Sequence, residues 1–416
     1  MVDEAASDSK DASPEQGWRA RTAILTLGAF AVGTDGYVIV GLLPQIDRTL
    51  HVSSAASGQL VSVFALVVAF LAPVLATVTS KWPRQRVLVT ALLLLGVGNA
   101  VTALSGDYGL VLASRILAGA GAALFTANAV ATAAFLAPGE RRGSAIAMVT
   151  AGSTLSLILG APLGTVIGNN LGWQAAIWFI AGIAVVVAVA VAALLPAIRI
   201  DQVITLRQRL SPLADRRVLK ILAVTLLAFI GIFLPFTYMS AVFAPATGGS
   251  QPRLALLLMA FGVAATVGNL AAGRLADRYN ARLVVIIATL CIGSVFLIML
   301  AVRGTFVLAV VMEALAGLVC FSVIGPQQQR IIAHAPEGGA PLVTSLNLST
   351  AYLGNFVSSV IGAVILSTAS SAAFVLPVAA GFALAASLIA WWTARPVGAG
   401  GEDPAEGTTR VAAATK

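Results

Sequence analysis

Charge is scarce in this chain: only 10% of its 416 residues are Asp, Glu, Lys or Arg. Soluble domains typically carry about a quarter. With 59% apolar residues and a mean hydropathy of +0.95, the chain reads as an integral membrane protein. Aromatic residues are also few, at 7%, so the apolar mass is Ala, Val, Leu, Ile and Gly. That composition suits closely packed helices better than a β-barrel with aromatic girdles. Long unbroken apolar runs, rather than alternating strands, point the same way. The only cysteines, Cys291 and Cys320, fall in apolar runs and read as packing thiols. The two histidines, His51 and His334, lie in different loops and make no metal site. Without a His/Cys cluster or a nucleophile and base pair, the sequence does not suggest an enzyme, and no cofactor is expected.

The net charge of +8 and pI of 10.1 would suit a nucleic-acid partner only if the basic residues formed a patch. They are dispersed among loops, so the expected partners are the bilayer and small molecules. Residues 1–21 are polar, mixed in charge and lack the apolar core of a signal peptide. Residues 395–416, rich in Gly, Ala, Glu and Thr, read as a disordered tail.

Cutting the sequence at charged and Gly/Pro-rich breaks gives twelve spans, each near the roughly 20 residues a bilayer requires. They are 22–45, 57–79, 87–105, 108–135, 143–167 and 173–195, then 218–243, 253–276, 283–302, 305–332, 342–366 and 372–393. The longest internal connection, 196–217, divides them six and six. The expected units are therefore two bundles, 22–195 and 218–394, joined by that linker. All but four of the 25 basic residues fall on the side of the termini or in the loops facing it. Arg48, Arg253 and Arg303 lie on the other side, and Arg115 lies within a span. An excess of Lys and Arg in short loops marks the cytoplasm, so both termini are expected there.

The halves are weakly self-similar. A shift of 198 lays Ser114-Arg115-Ile116-Leu117-Ala118-Gly119 over Met312-Glu313-Ala314-Leu315-Ala316-Gly317, and Gly164 over Gly362. A shift of 197 lays Thr79-Ser80-Lys81 over Ala276-Asp277-Arg278. Such half-length repetition is characteristic of transporters built from two related bundles.

Three ionisable residues lie deep in spans, where a charge must face a cavity or a partner. Asp35 sits mid-way along the first span, and Arg115 at a similar depth in the fourth. Burial and a neighbouring guanidinium pull a carboxyl's proton affinity in opposite directions, so a group balanced between them exchanges protons as its surroundings change. A static polar anchor for Asp35 and a snorkelling Arg115 are the plainer alternatives. Glu313 holds the equivalent place in the tenth span. It is either a second protonatable group, a determinant for cationic substrates, or a carboxylate hydrogen-bonded to adjacent helices.

Two further stretches are distinctive. Gly273-Arg274-Leu275-Ala276-Asp277-Arg278, followed by Arg282, packs charge into the turn between the eighth and ninth spans, with Gly268 and Gly273 placed for close helix approach and Asp277 for pairing with an arginine or capping a helix. In the fifth span, Gly152 precedes Gly160-Ala-Pro-Leu-Gly164-Thr-Val-Ile-Gly168, which has overlapping small-residue contacts around the helix-bending Pro162.

The first of these resembles the loop signature of the major facilitator superfamily. Arg115 with Gly119 and Gly121 resembles its fourth-helix motif, in which the arginine is implicated in proton transfer. The fifth-span pattern resembles the motif of its antiporters, which its importers lack. The loop between the second and third spans departs from the signature, since Ser80 stands where the aspartate is expected, although Lys81, Arg84 and Arg86 keep the positive charge. The resemblance covers residues 19–396 and implies an all-α integral membrane fold of twelve transmembrane helices in two pseudo-symmetric six-helix bundles. It also implies drug/proton antiport in a bacterial cytoplasmic membrane, by a monomer.

By analogy with that fold, the first, fourth, seventh and tenth helices line the cavity. Substrate contacts are then expected from Tyr37, Asn128, Phe229, Phe233, Phe236 and Tyr238, with proton coupling at Asp35, Arg115 and Glu313. Gating is expected from Gly273, Arg274, Asp277 and Arg278. A largely apolar cavity suits lipophilic compounds better than sugars, and multidrug efflux with antibiotic resistance is the expected activity. The alternatives are a passive uniporter or importer of a metabolite such as a sugar or nucleoside, and a non-transporting membrane sensor or scaffold.

Overall fold

A computed structural model describes residues 14–199, 206–335, 339–369 and 371–392. The expected C-terminal tail lies outside these residues, as do much of the expected N-terminal tail and the middle of the linker. The described residues contain helices and no strand. Twelve helices are long and apolar enough to cross a membrane. In order they are span 1 (Gly17–Leu50), span 2 (Ser54–Val78), span 3 (Arg84–Leu104), span 4 (Tyr108–Leu136), span 5 (Gly139–Leu171) and span 6 (Trp173–Leu194). After the linker come span 7 (Arg216–Thr237), span 8 (Gln251–Arg278), span 9 (Ala281–Val302), span 10 (Phe306–Ile332), span 11 (Leu342–Thr368) and span 12 (Ala372–Trp392).

Several ends follow from local chemistry. Span 1 runs past its expected end at 45, with Pro44 inside it, and stops where His51 adopts the left-handed φ of 53°. The side chains of Ser53, Asp107 and Asn280 cap spans 2, 4 and 9 by accepting backbone N–H groups. Span 7 stops at Thr237 rather than at 243. Pro235 lies in its last turn and Tyr238 leaves helical geometry, so 239–247 forms two short helical turns instead. Spans 5 and 10 are interrupted. Span 5 contains a π-helical turn, Ser156–Gly160, next to Pro162, and span 10 breaks at Ser322 and Val323 ahead of Pro326.

The pseudo-symmetry extends to individual contacts. A methyl on Gly119 would press on the Phe64 carbonyl of span 2, and one on Gly317 on the Phe261 carbonyl of span 8. Gln85 of span 3 donates to the Ala192 carbonyl, while Arg282 of span 9 donates to the Ala390 carbonyl. The offsets match those read from the sequence.

The face bearing Lys81, Arg84, Arg141, Arg142, Arg274 and Arg278 is called the basic face here. Toward the opposite face, Val38, Leu42, Ile46 and Leu60 of the first half share one apolar core with Phe236, Val242, Leu254 and Leu258 of the second. Toward the basic face the core divides. Leu25, Leu88, Ala133 and Val149 form one cluster, and Val218, Leu222, Ile331 and Val343 another. The halves are thus fused by apolar burial at the face opposite the basic one.

Candidate functional site

Span 5 sets the position of span 1. Methyl groups on Gly152, Gly160, Gly164 or Gly168 would overlap Thr26, Thr34, Val38 or Leu42. These partners recur along one face of span 1, so the two helices touch backbone to side chain over much of their length. The π turn serves both halves: Ser156 fills the space beside Gly33 of span 1, and the Leu157 carbonyl lies against Gly262 of span 8.

Two residues away from Gly33, Asp35 points into the first bundle. Its Oδ1 accepts Arg115 Nη1 at 2.9 Å, and the two side chains are 0% and 1% exposed. Among the described residues this is the one salt bridge. Arg115 also lies 4.7 Å above the Phe64 ring and 3.5 Å from Asn99 Oδ1. Asp35 Oδ2 and Arg115 Nε are buried with no hydrogen-bond partner. The pair is therefore charge-compensated, yet each member has polar capacity to spare.

Asn99 and Phe64 were not singled out from sequence, although a lone amide in an apolar span was a readable signal. Tyr352 of span 11, likewise missed, packs against the apolar cluster of the first half that contains Phe64.

Four of the six expected substrate residues lie in one aromatic chain. Phe229 stacks on Phe233 at 5.8 Å, Phe233 meets Phe236 edge-on at 5.9 Å, and Tyr37 of span 1 meets Phe236 at 6.0 Å. The chain continues through Phe261 to Phe321. The other two residues lie apart from it. Asn128 accepts Arg84 Nη1 and donates to the Leu124 carbonyl. Tyr238 donates to the Ser359 carbonyl at 2.7 Å, its ring wedged between Gly58 and Gly362.

Glu313 is 3% exposed and shares a face of span 10 with Ala309, Met312, Ala316, Gly317 and Cys320. Among the described residues no hydrogen bond or ion pair reaches its carboxylate, so the hydrogen-bonded anchor considered from sequence is not what the structure contains.

The loop signature also differs in detail. Gly268 lies against the Leu318 carbonyl, but a methyl on Gly273 would meet nothing within 4 Å. Asp277 accepts Gln329 Nε2 at 2.8 Å rather than an arginine, Arg278 lies over Tyr279, and Arg274 is exposed. The neighbouring glutamines reach different helices: Gln327 donates to the Ile221 carbonyl and Thr225, and Gln328 to Thr344. They fasten span 10 to spans 7, 8 and 11.

The family model described as Major Facilitator Superfamily matches residues 25–357 and, in an overlapping second match, 221–415. Among curated relatives, the uncharacterised MFS-type transporter YbcL of Bacillus subtilis is 32% identical over 350 residues, covering 84% of this chain and 89% of its own. A chloramphenicol resistance protein of Streptomyces lividans is 30% identical over 323 residues, covering 76% and 81%. Among solved structures, the nucleoside transporter NupG superposes with a TM-score of 0.73 at 12% identity, over 91% of this chain and all of that one. At that identity the likeness concerns the fold alone.

Proposed function

The chain belongs to the major facilitator superfamily, and from that premise we propose that it exports small lipophilic compounds in exchange for protons, with Asp35 as the proton carrier. The observation that carries this reading is the sealed Asp35–Arg115 pair, 2.9 Å apart, with one carboxylate oxygen unpaired. A carboxylate so placed is stable only while compensated. Protonation removes its charge and frees Arg115, for which Asn99 and the Phe64 ring are the waiting neighbours. Because Tyr37 lies only two residues from Asp35 and belongs to the aromatic chain, movement of span 1 is transmitted directly to the apolar substrate surface.

The basic face is the cytoplasmic one in this reading, so the apolar seal lies on the outside and substrate enters from the cytoplasm. Proton and substrate each favour a different facing state, and that differential affinity couples their fluxes. The chloramphenicol resistance relative and the Gly- and Pro162-bearing face of span 5 support export of an apolar compound over import of a nutrient.

The test uses everted membrane vesicles with an acidified lumen, chloramphenicol as probe, and wild type beside Asp35→Asn. Wild type is expected to accumulate the probe in proportion to the proton gradient. The variant is expected to bind the probe and exchange it against itself while losing gradient-driven uptake. Uptake by both proteins that ignores the gradient would replace this reading with passive uniport.

A further inference from the structure

Span 8 has two apolar faces. One, with Leu258, Phe261, Ala265 and Ala272, is buried. On the opposite face Leu256, Ala260, Val263 and Val267 line a groove of about 670 Å³ together with Val311 and Leu315 of span 10. The two helices are held together by close backbone approach, since methyl groups on Gly317 and Gly268 would press on the Phe261 and Leu318 carbonyls. Leu256, Val263, Val267, Val311 and Leu315 are all exposed. An exposed, wholly apolar groove between two membrane spans faces hydrocarbon.

The same stripe of span 8 runs on to charge. Steps of three and four residues lead from Leu256 through Ala260, Val263 and Val267 to Ala271, Arg274 and Arg278, and residues so spaced share one side of a helix. Arg274 then lies about 10 Å beyond Val267 along the axis, and Arg278 about 6 Å further. Both arginines are exposed. Asp277, between them, accepts Gln329 Nε2 and forms no ion pair with either. The Arg278 guanidinium lies over the exposed ring of Tyr279, an aromatic of the kind that marks a membrane interface. The stripe thus has an apolar body in the hydrocarbon and two cationic forks at its edge.

We propose that an anionic phospholipid binds along this stripe, with one acyl chain in the groove between spans 8 and 10 and its phosphate held by Arg274 and Arg278. Arginine forks match the oxygens of phosphate, and a headgroup without an ammonium of its own leaves its charge to them. A second copy of the chain fits worse. Two-fold pairing within one membrane would set the stripe against itself, arginine against arginine. The groove residues of span 10 all precede its break at Ser322 and Val323, so the lipid would fasten span 8 to the unbroken segment alone. The site lies on the membrane-facing surface of the second bundle and does not depend on how transport is coupled.

The experiment counts bound lipid by native mass spectrometry of the full chain. Dioleoyl phosphatidylglycerol is titrated against dioleoyl phosphatidylcholine, which has the same acyl chains and no net charge. Wild type is expected to hold its first phosphatidylglycerol roughly tenfold more tightly. Arg274→Gln with Arg278→Gln should bring the two lipids to parity. Arg142→Gln, which removes an exposed arginine of the same basic face at the start of span 5, should leave the preference intact. Ala264→Phe with Ala314→Phe, filling the groove from both helices, should weaken binding of both lipids several-fold.

Equal binding of the two lipids by wild type would overturn the proposal, as would a preference that survives the double arginine change or falls equally with Arg142→Gln. A groove-filled protein that binds lipid as wild type does would also overturn it. A dimer that the groove-filling pair abolishes would replace the lipid with a second copy. Were the double arginine variant not to fold, Arg274→Gln alone is expected to cut the preference about threefold, and an undiminished preference there counts against the site.

Discussion

Asp35 has no exposure to water, and among the described residues Arg115 is its one ion-pair partner, so removing the arginine alone leaves a buried acidic group uncompensated. Arg115→Ala should lower stability by about 3–5 kcal/mol. The double variant Asp35→Asn with Arg115→Gln should recover most of that loss, and thermal unfolding in detergent measures both. Glu313 is a different case, because among the described residues it has no hydrogen-bond or ion-pair partner to lose. Glu313→Gln is expected to leave Tm unchanged or slightly raised and to reduce efflux of the cationic dye ethidium several-fold more than efflux of neutral chloramphenicol. Equal loss for both compounds would argue against a role in charge selection. Depth in an apolar span was enough to nominate Asp35, Arg115 and Glu313 from sequence, because placing charge in hydrocarbon always needs a reason. Side-chain direction was not legible in the same way. Asn128 and Tyr238 had suitable positions, but their hydrogen bonds to Arg84 and Ser359 are tertiary facts.

At the level of the helix, glycine content announced close packing without saying where it occurs. Gly268 and Gly273 look alike in the sequence, but of the two only Gly268 would press an added methyl against a neighbouring backbone. Gly268→Ala should therefore cut the yield of folded protein sharply, whereas Gly273→Ala should be indistinguishable from wild type in Tm and transport. In span 5, Gly164→Val must displace Val38 and is expected to cost about 1–3 kcal/mol through overpacking, read as a lower Tm together with lost efflux. The number and order of the spans were legible because hydropathy alone sets them. The early end of span 7 and the π turn of span 5 were not, because both depend on how Pro235 and Pro162 are accommodated by surrounding helices.

Over the whole molecule, the apolar seal opposite the basic face must open if substrate is to cross. Gly41 of span 1 lies against Leu258 of span 8 within that seal. A Gly41→Cys and Leu258→Cys pair, with Cys291 and Cys320 replaced by serine, should lose transport on oxidation and regain it on reduction. Transport that persists in the cross-linked protein would show that the seal does not part there. The relation of the two halves was readable as a repeat, but their differences were not. Span 11, the counterpart of span 5, runs as an uninterrupted helix, while span 5 carries the π turn against both span 1 and span 8. Such a turn holds one surplus residue, much as a dislocation holds one surplus row in a crystal. Relaxing it to α-helix would rotate everything beyond it by about 100°, turning Gly160, Gly164 and Gly168 off their partners on span 1. The two halves are therefore irregular in different places, the one that carries Asp35 at the π turn of span 5 and the other at the break of span 10.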